Sequence, residues 1–245
     1  MNSHRYESSQ AIVSQTLRWQ SLRSQTLRVI ATTCILAACA AAASHKAPPV
    51  KPANQYAAFD THPNEHVTIG IDPCNDPDKC SFFRLPYVQH GFIPVRVIIT
   101  NDGDTALTLN DVRIQFISAA NDKIPAADLD EINRRLFNLK KSMGTHLPLP
   151  IPITIHHPAV DKKITEDDTD FGFQSTTVNA HSTLGGYLFY DVRGLDDPPL
   201  KGAQIYVKEI YTLDHKHELF PFTIPFEKWL AANPPAGKST SQRSQ

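Results

Sequence analysis

The sequence predicts an all-β fold, an antiparallel sandwich interrupted by one helix at about 128–141. Three observations carry this. Apolar residues alternate with polar ones through Val95/Val97/Ile99, Val112/Ile114/Phe116 and Ile151/Ile153/Ile155, the period of a strand with one face on a core. Turn-forming clusters of Asp, Asn, Gly and Pro separate these runs at short intervals. Only one stretch keeps helical spacing, through Leu129, Ile132, Leu136 and Leu139.

In chain order, residues 40–65 are rich in Ala and Pro without periodicity and read as an extended tether. Val95, Val97 and Ile99 face Arg96 and Thr100 across the first clear strand, and Val112, Ile114 and Phe116 mark the second. The helix follows, with Asp128, Asp130 and Glu131 at its start and Lys140 and Lys141 at its end, as the helix dipole prefers. Gly144 supplies a stop. Pro152 has no N–H for a ladder, which places Ile151–Ile155 at a sheet edge. Tyr187–Val192 is apolar on both faces and suits a central strand, which Gly185 and Gly186 let the chain enter at close approach. Ile205–Leu213 follows. After the turn Asp214–His217, the prolines 221 and 225 set Phe220–Phe226 at another edge. Trp229 caps the sandwich on a short turn, 226–232. Residues 233–245 have the composition of a disordered tail.

The motif Asn101-Asp102-Gly103-Asp104-Thr105-Ala106-Leu107-Thr108-Leu109 resembles the N-x-G-x-x-x-L-x-L corner of bacterial extracellular immunoglobulin-like domains. Ser182–Val192 is similar to the small-residue-then-strand signature of the same group. The resemblance spans roughly 66–225 and implies an immunoglobulin-like β-sandwich. It brings no catalytic residue with it.

Residues 1–28 carry Arg5, Arg18, Arg23 and Arg28 against a single acid, Glu7, and an uncharged run from Val29 follows. This is the layout of a secretory signal, and the run is shorter than the ~20 residues a spanning helix needs. Leu36-Ala37-Ala38-Cys39 resembles the lipobox of bacterial lipoproteins. The resemblance implies diacylglycerol on the Cys39 sulfur, cleavage before Cys39 and acylation of the new amino terminus. Ordinary cleavage among Ala40–Ala43, with loss of Cys39, is the alternative. Ala40 rather than Asp follows Cys39, which by the same resemblance points to the outer membrane. The expected organisation is a signal peptide at 1–38, a lipidated tether at 39–65, a sandwich at 66–232 and a tail at 233–245.

The whole chain has 24 basic and 25 acidic residues; without residues 1–38 it keeps 20 against 24. That balance excludes a nucleic-acid surface and a polybasic lipid-headgroup patch. The expected partners are therefore the membrane, through covalent lipid, and another envelope protein.

Cys74 and Cys80 remain in the mature chain, and an oxidising compartment favours a disulfide between them. A free pair or a metal site are the alternatives, although five intervening residues match neither a zinc knuckle nor a thioredoxin-like motif. Three acidic stretches could offer oxygens to Ca²⁺: Asp72/Asp76/Asp78, Asn101/Asp102/Asp104 and, densest in charge, Glu166/Asp167/Asp168/Asp170. Asp and Asn are equally ordinary turn residues. His215 and His217 could point the same way across a turn, but no third ligand is near, and zinc needs three or four. His156 and His157 point to opposite faces of a strand. No nucleophile elbow, H-E-x-x-H or P-loop is present. The expectation is a non-enzymatic, cofactor-free, lipid-anchored envelope module, with a periplasmic metal-binding protein as the alternative, and a core large enough to fold without metal.

Overall fold

The computed structural model describes residues 45, 47–137 and 160–234. Eleven strands form three antiparallel sheets: β1 (Ala58–His62), β2 (Val67–Pro73), β3 (Phe92–Asn101), β4 (Leu107–Thr108), β5 (Arg113–Ile117), β6 (Lys123–Pro125), β7 (Thr177–Val178), β8 (Ser182–Asp191), β9 (Gln204–Lys208), β10 (Tyr211–Thr212) and β11 (Phe222–Pro225). The first sheet has the order β1-β2-β3-β8, the second β11-β9-β5-β6, and a small third sheet β10-β4-β7. The helices are α1 (Leu129–Phe137), α2 (Lys162–Phe171) and α3 (Glu227–Ala232).

The two four-stranded sheets share one core. Val67, Ile69, Ile71, Val95, Val97 and Ile99 come from the first, and Phe116, Ile205, Val207, Phe222 and Ile224 from the second. This is the all-β sandwich the alternation predicts. Register explains the pattern: Ile69 pairs with Ile99 and Ile71 with Val97, so both strands send their odd-numbered residues to the same side.

The first sheet is buried on its other face as well. Every residue of β3 is buried, Arg96 and Thr100 included. That outer face carries a second apolar cluster of Phe92, Tyr187 and Phe189 with Cys80, Phe83, Tyr87, Ile132, Leu136, Ile164 and Phe171. Strand β8, expected at the centre, is the outermost member of its sheet. Its two-sided apolar character comes from this outer cluster. Gly186 allows the covering: a Cβ there would lie 2.5 Å from the Phe173 backbone nitrogen.

Part of the expected tether belongs to the fold. Strand β1 pairs with β2 in full, from Ala58↔Ile71 to His62↔Val67. Before it, a strap of residues 47–57 lies on the outer face. Ala53 is fully buried, and its N–H donates to Thr100 Oγ1 at 2.8 Å. Gly70 lets it approach, since a Cβ at that position would stand 2.7 Å from the Ala53 carbonyl oxygen. Arg96 Nη2 donates to the Pro48 carbonyl at 2.6 Å, with its guanidinium carbon 5.6 Å from the centre of the Tyr187 ring.

Helix α1 starts where expected, with Asp128 Oδ1 accepting the Glu131 N–H at 2.6 Å. Trp229 sits on α3 and its Nε1 donates to Asp72 Oδ1 at 3.0 Å, so the expected cap is present. The strand at Ile151–Ile155, the helix end at Lys140, Lys141 and Gly144, His156, His157, Cys39 and most of the tail lie outside the described residues.

Candidate functional site

Cys74 and Cys80 form a disulfide, with Cα atoms 5.8 Å apart. The loop they close is a compact turn: Cys80 N–H donates to the Asp76 carbonyl at 3.0 Å and Asp78 N–H to Asp76 Oδ1 at 3.0 Å. Asp76 thus acts as a turn former, and Asp72 accepts from Trp229. The neighbouring Phe82 and Phe83 rings pack at tilted or edge-on angles against each other and against Phe171 and Tyr187.

The acidic stretch Glu166/Asp167/Asp168/Asp170 is not a loop. It lies on α2, whose N-cap Asp161 accepts the Lys163 N–H. Its carboxylates surround a cation that the chain itself supplies. Arg84 places Nε 3.1 Å from Glu166 Oε2 and Nη1 2.8 Å from Asp167 Oδ1, and Nη2 pairs with Asp170. Asp167 is 0% exposed and also accepts the Arg84 backbone N–H at 3.1 and 3.2 Å and the Tyr87 hydroxyl at 2.9 Å. Burial and the Asp167 charge push the Tyr87 phenol far above its ordinary pKa, and the hydrogen bonds to Asp167 and Asp170 raise that of Arg84. A buried carboxylate with its lone pairs filled this way ties the disulfide segment to α2. All of these donors come from the segment just after the disulfide loop. At this stretch, one of the three that could offer oxygens to a cation, the structure shows three carboxylates paired with the Arg84 guanidinium.

The third acidic stretch is a strand corner. Asn101 is 1% exposed; its Nδ2 donates to the Thr105 and Asn179 carbonyls at 2.8 and 3.2 Å, and its Oδ1 accepts the Gly103 N–H. Asp104 pairs with His181 at 3.0 Å. His215 and His217 also serve separate contacts. The His215 ring lies against Tyr211, with centroids 5.6 Å apart, while His217 Nε2 is 3.7 Å from Glu65 Oε1. Among the described residues no group of three or more His, Cys, Asp or Glu is placed to hold a metal ion.

Glu65 is the group that sequence reasoning passed over, because it fell in the expected tether. It links β1 to the last strand: Oε2 lies 2.8 Å from His62 Nδ1, and Oε1 accepts the Phe220 N–H at 2.8 Å. Asp60 Oδ2 accepts the Thr223 N–H at 3.0 Å, and the His62 ring stacks on Phe222 at 3.8 Å. Asp60 thus caps the Thr223 donor of β11 and Glu65 the Phe220 donor just before it, which together with Pro221 and Pro225 discourages strand addition at that edge. Two large apolar side chains are exposed on this part of the chain: Phe220 is 73% and Leu213, on the preceding hairpin, 52% exposed. A cleft of about 580 Å³ lies elsewhere, bordered by Leu109, Val112, Ile114, Phe173 and Leu188. Its one charged wall residue, Arg113, is paired with Glu209 at 2.7 Å.

No family model matches the chain, and no curated protein or solved structure matches it either. No helix among the described residues is long and apolar enough to cross a membrane.

Proposed function

We propose that the chain is a lipid-anchored, non-enzymatic module of the bacterial cell envelope, probing a protein partner from an immunoglobulin-like sandwich. The observation that carries the reading is the Leu36-Ala37-Ala38-Cys39 box behind a basic, then apolar, amino-terminal segment. The Cys74–Cys80 disulfide supports it, because such bonds persist in oxidising compartments such as the periplasm. The expected location is the outer membrane, facing the periplasm. The titratable clusters support a binding rather than a catalytic role. Asp167 and Glu65 each accept hydrogen bonds from donors of the fold itself, as carboxylates in structural roles do.

The partner surface is the end carrying Leu213 and Phe220, where large apolar side chains stand in water. The test is photocrosslinking in intact envelopes from a probe at Leu213, in the parent chain and in Phe220→Asp. One discrete adduct in the parent, lost in the variant while membrane fractionation is unchanged, supports the reading. Release of the Cys39→Ser chain from membranes supports the anchor. Persistence of that variant in the membrane fraction contradicts it.

A further inference from the structure

The point at which the chain joins the fold fixes which end of the sandwich faces a membrane. His45 Nδ1 lies 2.8 Å from the Phe82 carbonyl oxygen, and Ala47 packs against the cluster that contains Cys74, Phe82 and Leu85. From there the strap is held by Arg96 at Pro48 and by Thr100 at Ala53. The described chain therefore joins the fold, at His45, beside the disulfide loop, where β2 ends and β3 begins: Pro73 pairs with Val95, and Cys74 N–H donates to the Pro94 carbonyl.

The opposite end is equally defined. There β2 starts and β3 finishes, Val67 pairing with Asn101. Leu213 N–H donates to the Ala106 carbonyl and Phe220 N–H to Glu65, so the exposed apolar pair belongs to this end. Strand β3 has ten residues, which at the usual rise sets the two ends about 30 Å apart.

Cys39 stands six residues before His45. Fully extended, that length reaches about 20–22 Å. We infer that the strap turns the expected long tether into a short leash, holding the disulfide-loop end next to the bilayer and presenting the Leu213/Phe220 end away from it. This rests on lipidation of Cys39. The leash is shorter than the strand, so the domain samples orientations in which the disulfide loop is the nearer end. A tether beginning at residue 65 would impose no such order.

The experiment uses the full mature chain, reconstituted in phosphatidylethanolamine–phosphatidylglycerol vesicles with a quencher on the lipid headgroups. Two exposed positions carry a thiol-linked fluorophore, Gln89→Cys at the disulfide end and Lys216→Cys at the far turn. The expected result is at least twofold stronger quenching at position 89. Twenty Gly/Ser residues inserted between Ala43 and Ser44 should bring the two signals together, since such a linker adds roughly 25 Å of average reach. The mass of the amino-terminal peptide is read on the same samples. Equal or reversed quenching with acylated Cys39 overturns the leash alone, as does an insertion that leaves the difference intact. An unmodified Cys39 overturns the anchor and the leash together.

Discussion

The two faces of the β1-β2-β3-β8 sheet are buried by different means. The inner face meets the second sheet through Val, Ile and Leu side chains at period two. The outer face is covered by pieces distant in sequence: the strap, the disulfide segment, α1 and α2, joined through aromatic rings and one buried ion pair. The inner face follows from local pattern plus register. The outer one depends on polar groups being satisfied by partners up to 86 residues away, as Arg84 is by Asp170. The aliphatic core makes the sandwich, and the outer cluster determines what leaves it and where.

The largest effect expected on either face is loss of a core ring. Phe116→Ala and Phe83→Ala should each cost about 3–5 kcal/mol, read by denaturant unfolding. The two should differ in reach. Phe116 touches Tyr190 and Phe226 across the sandwich, and its loss lowers stability everywhere. Phe83 touches Tyr87, Phe171, Tyr187 and Phe189, and its loss should speed hydrogen exchange first in α2 and the disulfide segment. Uniform exchange in both variants would erase the distinction.

Next is Asp167→Ala, which leaves the Tyr87 hydroxyl and the Arg84 backbone N–H without their acceptor and the Arg84 guanidinium with only its half-exposed partners, and should cost about 3 kcal/mol. Glu166→Gln, at a half-exposed partner of the same arginine, should cost under about 0.5 kcal/mol. Equal losses would show that the buried carboxylate is not the link between the segments. Reducing the disulfide, whose cysteines are six positions apart, should cost about 2–3 kcal/mol.

These sites were unequally legible. The period-two strands β3, β5 and β11 were readable because each side chain's environment repeats every second residue. The disulfide was readable because only two cysteines follow Cys39. Helix α2 was not: its buried stripe is Ile164, Asp167 and Phe171, and a carboxylate at the middle position hides the apolar spacing. Only the distant Arg84 and Tyr87 make that burial possible. Strand β1 was equally hidden, since Ala58–His62 has little apolar alternation. Its place is set by β2 and by the hydrogen bonds that Asp60 and Glu65 accept from Thr223 of β11 and from Phe220 just before it.

Alkaline pH separates the faces differently. Burial pushes the Tyr187 phenol up to about 12. The neutral form is favoured in the fold, so its contribution is complete below pH ~10 and fades as pH rises from there towards 12, by up to about 3 kcal/mol. Tyr187→Phe should flatten that decline in a pH series of unfolding midpoints, and an unchanged decline would assign it elsewhere. A modest effect is expected at the far end. Glu65→Gln weakens the contact to His62 while keeping an acceptor for the Phe220 N–H, and should cost about 1 kcal/mol.

The functional reading turns on Cys39, and one measurement meets it directly: the mass of the amino-terminal peptide from protein isolated in its native membranes. A peptide beginning at Cys39, carrying a diacylglyceryl group on sulfur and an acyl group on the amino nitrogen, is the predicted result. A mature chain beginning among Ala40–Ala43, or one retaining residues 1–38 with an unmodified Cys39, would contradict it.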